Sequence, residues 1–185
     1  MHILGLNAYH GDASASLLPA IAEDRLGVGD VAYGWLRAAP GIGAAAMALV
    51  LAARPLRRHV GRSLLVTVAI FGAATVVLGA TTSYAVAFVS LVVLAAADMI
   101  SVFIRGSLVP LVTPDDKRGR VMAVENVFIG ASNELGAFES GIVAQAAGTP
   151  ATVIGGGIAT VAIVVVWWLA FPTLRRVDRL EDLGH

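Results

Sequence analysis

Five stretches of this chain are mostly apolar over 19 to 27 residues. At 1.5 Å per residue each can cross a hydrocarbon core roughly 30 Å thick. They are predicted at Tyr33–Ala53, Ser63–Thr81, Tyr84–Val109, Val121–Ala147 and Ala151–Phe171. The apolar runs are continuous and lack period-2 alternation, so helices are expected rather than a barrel. Ala13–Ala22 is apolar over only about 15 Å, half a bilayer, and is expected to be the remnant of a sixth helix. Composition agrees. Hydrophobic residues make up 57% and charged residues only 14%, against roughly 25% charged in soluble domains, too few to clothe a water-facing surface. The lipid bilayer is the expected surround.

Other function classes drop out on the same grounds. Thirteen basic residues balance 13 acidic ones, which leaves no electrostatic footprint for nucleic acid. With no cysteine there is no thiol nucleophile, disulfide or Cys-based metal site. No phosphate loop, His/Asp/Glu metal constellation or triad lies in the spans. No catalytic residue, metal or cofactor is therefore expected.

The loops alternate in charge. Arg54, Arg57, Arg58 and Arg62 crowd the first connection beside Gly61, and Arg118, Gly119 and Arg120 sit in the third with Asp115, Asp116 and Lys117. Thr81–Ser83 and Gly148–Pro150 carry no charge, and the tail holds Arg175, Arg176 and Arg179. The positive-inside rule then places the basic loops and the C-terminus in the cytoplasm. Glu23–Asp30 falls outside, and Trp167 and Trp168 sit at the inner interface.

Ionisable residues inside spans cost about 2.5–3.5 kcal/mol each on insertion scales, so they mark candidate sites. Here they are Arg37, Asp98, Arg105, Glu125, Glu134 and Glu139. Asp98 and Arg105, seven apart, share a helix face and could bracket a polar path; alternatively Arg105 snorkels to the headgroups. The fourth span gathers Asn126, Gly130, Asn133, Ala137, Ser140 and Gly141 into one polar, small-residue stripe opposite Val124, Phe128, Leu135 and Ile142. Glu134 lies on the shoulder of that stripe, about 80° from Asn126. Two readings stand: the stripe lines a water-accessible cavity, with Glu134 desolvated and suited to carry a proton, or it packs helices together. Gly41, Ala45, Gly155 and Ala159 have small-xxx-small spacing and are expected at helix contacts, unless they reflect a composition rich in Ala and Gly.

From about Leu17 to Leu183 the sequence resembles the second half of a major facilitator superfamily transporter, of the enterobactin-exporter and drug:proton antiporter kind. The likeness is carried by Asp98-Met-Ile-Ser-Val-Phe-Ile-Arg105, Thr113-Pro-Asp-Asp-Lys-Arg-Gly-Arg-Val-Met-Ala-Val124 and Asn126-Val-Phe-Ile-Gly-Ala-Ser-Asn-Glu-Leu-Gly-Ala-Phe-Glu-Ser-Gly141. Arg54–Arg62 resembles the family's Asp-Arg-x-Gly-Arg loop without its acidic residue. Residues 1–17 instead resemble the N-terminus of the carbamoyltransferases that modify antibiotics and nodulation factors, through Ile3-Leu-Gly-Leu-Asn-Ala-Tyr-His-Gly-Asp-Ala-Ser-Ala-Ser16.

These resemblances imply an all-α, polytopic membrane bundle of five transmembrane helices plus a truncated sixth, the C-terminal half of a major facilitator fold. It would span 18–185, behind a foreign-looking segment 1–17. The expected function is export of a small lipophilic or siderophore-like molecule, proton-coupled when complete, in a bacterial inner membrane. Asn126, Asn133 and Glu134, then Asp98 and Arg105, would line the pathway. Arg54, Arg57, Arg58, Gly61, Arg62, Arg118, Gly119 and Arg120 would form the cytoplasmic gate loops. Such a chain is expected to need a missing N-terminal half or a second copy of itself. The alternatives are a non-transporting membrane fragment and, remotely, a nucleotide-dependent carbamoyltransferase acting through His10 and Asp12.

Overall fold

In the computed structural model, the described residues are 17–26, 29–54, 56 and 60–170. Residues 1–16, with His10 and Asp12, lie outside them. The described residues form helices and no strand. A turn of α-helix, α1 (Leu18–Ala20), passes into a π-helical segment, Ile21–Leu26. Five long helices follow: α2 (Asp30–Ala53), α3 (Val60–Ala80), α4 (Tyr84–Val112), α5 (Asp115–Ala147) and α6 (Thr149–Ala170).

The breaks have local causes. Pro114 biases Thr113 to an extended conformation, φ −108° and ψ 125°, and α4 stops there. Helix α5 then starts at Asp115, whose carboxylate and that of Asp116 suit the positive end of the helix dipole. This corrects the expectation of a loop over Asp115–Arg120. Gly148, at φ 85°, separates α5 from α6, a backbone conformation that side chains with a Cβ resist. Pro150 falls in the first turn of α6, where its missing N–H is no loss. Gly61 and Arg62 likewise open α3 rather than sit in a connection.

Among the described residues, four helical stretches are long and apolar enough to cross a membrane: Asp30–Ala53, Val60–Ala80, Tyr84–Ile104 and Thr149–Ala170. Helix α5 does not join them. Its 33 residues reach about 50 Å, ample length. However, Glu125, Asn126, Asn133, Glu134, Glu139 and Gln145 dilute its apolar content below theirs.

Helices α2, α4, α3 and α6 pack in that order side by side, and α5 lies more loosely against α6 and α4. One end of the bundle is closed by Leu17, Leu18, Ile21 and Ala22, which bury against Leu36, Leu78, Leu91 and Val153. The short first segment is thus a plug across the ends of four helices. At the same end the Tyr84 hydroxyl donates to the Ala32 carbonyl at 3.1 Å, tying α4 to α2. Phe71, Ala74, Leu94 and Ala97 join α3 to α4 in the middle. At the opposite, arginine-bearing end, Trp167 and Trp168 pack on a cluster of Leu65, Val68 and Val164.

Close approach rests on glycine. A Cβ on Gly43 would strike the Val92 carbonyl, so α2 and α4 touch backbone to backbone there. A Cβ on Gly157 would lie 2.8 Å from the Gly72 carbonyl oxygen and 2.8 Å from the Val76 nitrogen, where α6 meets α3. Gly41 and Gly155, expected to mark contacts, have nothing within 4 Å of such a Cβ, and Ala45 and Ala159 are exposed. The contact register is therefore displaced by two residues on both helices.

Candidate functional site

Because α5 packs weakly, its circumference divides into three sectors. Asn126 serves as the zero of angle, with about 100° between successive residues. Ile129, Ser132, Asn133, Gly136 and Ser140 are buried or half-buried and face the bundle. Asn126, Gly130 and Glu134 occupy the next sector, spanning roughly 0° to 80°, and all three are exposed. Val124, Phe128, Leu135, Phe138 and Ile142 fill the third and are exposed as well.

The stripe expected to act as one unit is thus split. Asn133 turns inward with Ser140, and its Oδ1 is buried with no hydrogen-bond partner among the described residues. Asn126 and Glu134 turn outward. The structure does not bring Asn133 to the same surface as Glu134, although they are adjacent in sequence. The reason is angular: neighbouring residues on a helix point about 100° apart. Hydrocarbon is a poor solvent for the second sector, since an ionisable or amide group there has no hydrogen-bond partner.

Asp98 is half-buried in α4 and takes part in a polar or electrostatic interaction. Arg105 continues the same helix, but its side chain lies outside the described residues. Arg37 is exposed on α2 and shares a face with Gly34 and Gly41.

Of the gate residues, Arg54 terminates α2, Arg62 is exposed in the first turn of α3, and Arg57 and Arg58 lie outside the described residues. Arg118, Gly119 and Arg120 belong to the first two turns of α5. Arg118 is held by Asp115 in a 2.6 Å ion pair three residues apart. Lys117 and Arg120 are exposed. No group of three or more His, Cys, Asp or Glu side chains able to hold a metal occurs among the described residues.

Sequence reasoning missed the two glycine contacts and the plug formed by Leu17–Ala22. The plug had a signal, since Ala13–Ala22 is too short to cross a bilayer and must bury its apolar surface some other way. A family model described as transmembrane secretion effector matches residues 3–182 of the chain. That match runs through the segment 3–16 as well as the helices. No curated protein matches the chain.

Proposed function

Since the chain belongs to the transmembrane secretion effector family of major facilitator-type transporters, we propose that it carries a small lipophilic or siderophore-like molecule out of the cell. The observation that supports this best is the exposed polar sector Asn126–Gly130–Glu134 on a helix that also exposes an apolar face. In our reading α5 is the fifth span. Its apolar face meets lipid, its packed face meets α6 and α4, and its polar sector borders a water-filled path, where irregular polarity is tolerated.

Glu134 would be the proton carrier and Asn126 a substrate contact. Asp98 and Arg105 on α4, and the inward amide of Asn133, would form the second layer of the path. The wall facing this sector would come from a second set of helices, either a partner half or a second copy, since rocking of two bundles around a midplane site is how such transporters alternate access. The arginine-bearing end would be cytoplasmic by the excess of basic loops. There Arg54, Arg62 and Arg120 would help hold the inward gate. Chemistry enters only as proton transfer; the chain is read as a transporter rather than an enzyme.

The test compares small molecules in the medium and in the cells of the source organism, with and without the chain. At least one lipophilic species should fall in the medium and rise in the cells when the chain is absent. Wild type should restore its export, Glu134→Gln should restore less than a tenth, and an uncoupler of the proton gradient should stop it. Indistinguishable profiles with and without the chain would sink the transport reading. Full rescue by Glu134→Gln would remove Glu134 from the mechanism.

A further inference from the structure

The exposed apolar sector of α5 ends in two cations. Val124, Phe128, Leu135, Phe138 and Ile142 cluster around a direction about 160° from Asn126, on the helical angle of 100° per residue. Lys117 and Arg120 fall at about 180° and 120° on the same scale, one on each side of that line. Both are exposed. The remaining charges of the first turns lie elsewhere. Asp115 and Arg118 point to other sectors and are joined in their own 2.6 Å ion pair. Asp116 sits at the margin of the stripe, about 80° from its centre. The first turns of the helix therefore leave a net positive pair over the apolar surface.

Lengths fit the same pattern. From Val124 to Ile142 the stripe measures about 27 Å, close to a bilayer's hydrocarbon thickness. Lys117 and Arg120 stand about 6–10 Å beyond it, at headgroup depth. Phe128 and Leu135 are each 63% exposed, so an acyl chain could lie along them without displacing a side chain.

We propose that this face of α5 binds an anionic phospholipid, its phosphate held between Lys117 and Arg120 and its acyl chains along Val124 and Phe128. The inference rests on α5 crossing the bilayer, as read above. A zwitterionic lipid such as phosphatidylcholine would fill the apolar stripe equally well, but its choline cation offsets the phosphate charge that the two cations attract. Charge complementarity therefore selects the anionic headgroup.

The full chain, purified in mild detergent, is offered phosphatidylglycerol or phosphatidylcholine, and lipid retention is read by native mass spectrometry. Phosphatidylglycerol should be retained several-fold more than phosphatidylcholine. The double variant Lys117→Gln/Arg120→Gln should fall to the phosphatidylcholine level, and the charge-keeping Lys117→Arg/Arg120→Lys should not. Arg54→Gln/Arg62→Gln removes the same charge from the same end and should retain the lipid. Equal loss in both Gln pairs would show diffuse surface attraction, and no loss in either would show no site; each overturns the proposal. Helical circular dichroism and a monodisperse elution peak certify each variant. The spanning of α5 is read separately. Single Lys117→Cys and Gly148→Cys variants of this cysteine-free chain should react with an impermeant maleimide from opposite sides of the membrane. Same-side labelling would instead unseat the fifth span itself.

Discussion

Gly157→Leu should abolish recovery of folded chain, while Gly155→Leu on the same helix should leave it nearly unchanged. A Cβ at 157 already lies 2.7 Å from Val76 Cγ2 and 2.8 Å from the backbone atoms Gly72 O and Val76 N. Side chains can rotate away, but two backbone atoms on a neighbouring helix cannot. Relief needs α6 to move off α3, which separates Leu65 and Val68 from Val164 and frees Trp167 and Trp168 from their seat. Overpacking by itself costs typically 1–3 kcal/mol. The separated helices also lose the dispersion contacts that hold membrane bundles together, because lipid offers no hydrophobic drive to restore them. Gly155 has nothing within 4 Å of such a Cβ, so leucine there displaces no neighbouring backbone. Size-exclusion profiles and thermal unfolding of the two variants side by side give the answer. Equal behaviour would mean that α3 and α6 do not meet in this register.

Gly43→Ala should be nearly as damaging, although it adds a single methyl group. The Cβ would overlap the carbonyl of Val92, with the Val92 carbonyl carbon at 2.9 Å. The expected loss is about 3 kcal/mol, the upper end of ordinary overpacking, since only backbone displacement can relieve it. Gly41→Ala, in open space, should be neutral or slightly stabilising through its better helix propensity. A midpoint for Gly43→Ala within a degree of wild type would refute the close α2–α4 approach.

These two contacts show where the sequence was legible and where it was not. The spans of α2, α3, α4 and α6 follow from apolar runs bounded by Pro114, Gly148 and the uncharged Thr81–Ser83, and the helices start and stop within a few residues of those signals. Which glycines touch is another matter. Gly41 and Ala45 have the same small-xxx-small spacing whether or not a partner lies beside them, and only the neighbour's position decides that the used register contains Gly43. The same limit applied to α5. Periodicity grouped Asn126 with Asn133, because they fall about 20° apart. A packing boundary passes between them, leaving one exposed and the other half-buried. Helix α5 also began earlier than its apolar run, because two acidic residues after a proline are a start signal that hydropathy does not register. The gate residues Arg118 and Arg120 thereby became helical and point to different sides.

Export along α5 requires water on one side of that helix and lipid on another. The chain has no cysteine, so single cysteines can be placed without background, and the direct measurement is their reactivity with a small, charged maleimide in intact membranes. Variants at Asn126, Gly130 and Glu134 should react readily, and those at Val124, Phe128, Leu135 and Ile142 should be protected, a pattern that follows the two exposed sectors of the helix. Uniform reactivity would place α5 outside the bilayer. Uniform protection would leave no water beside Glu134 and no path for export along this helix.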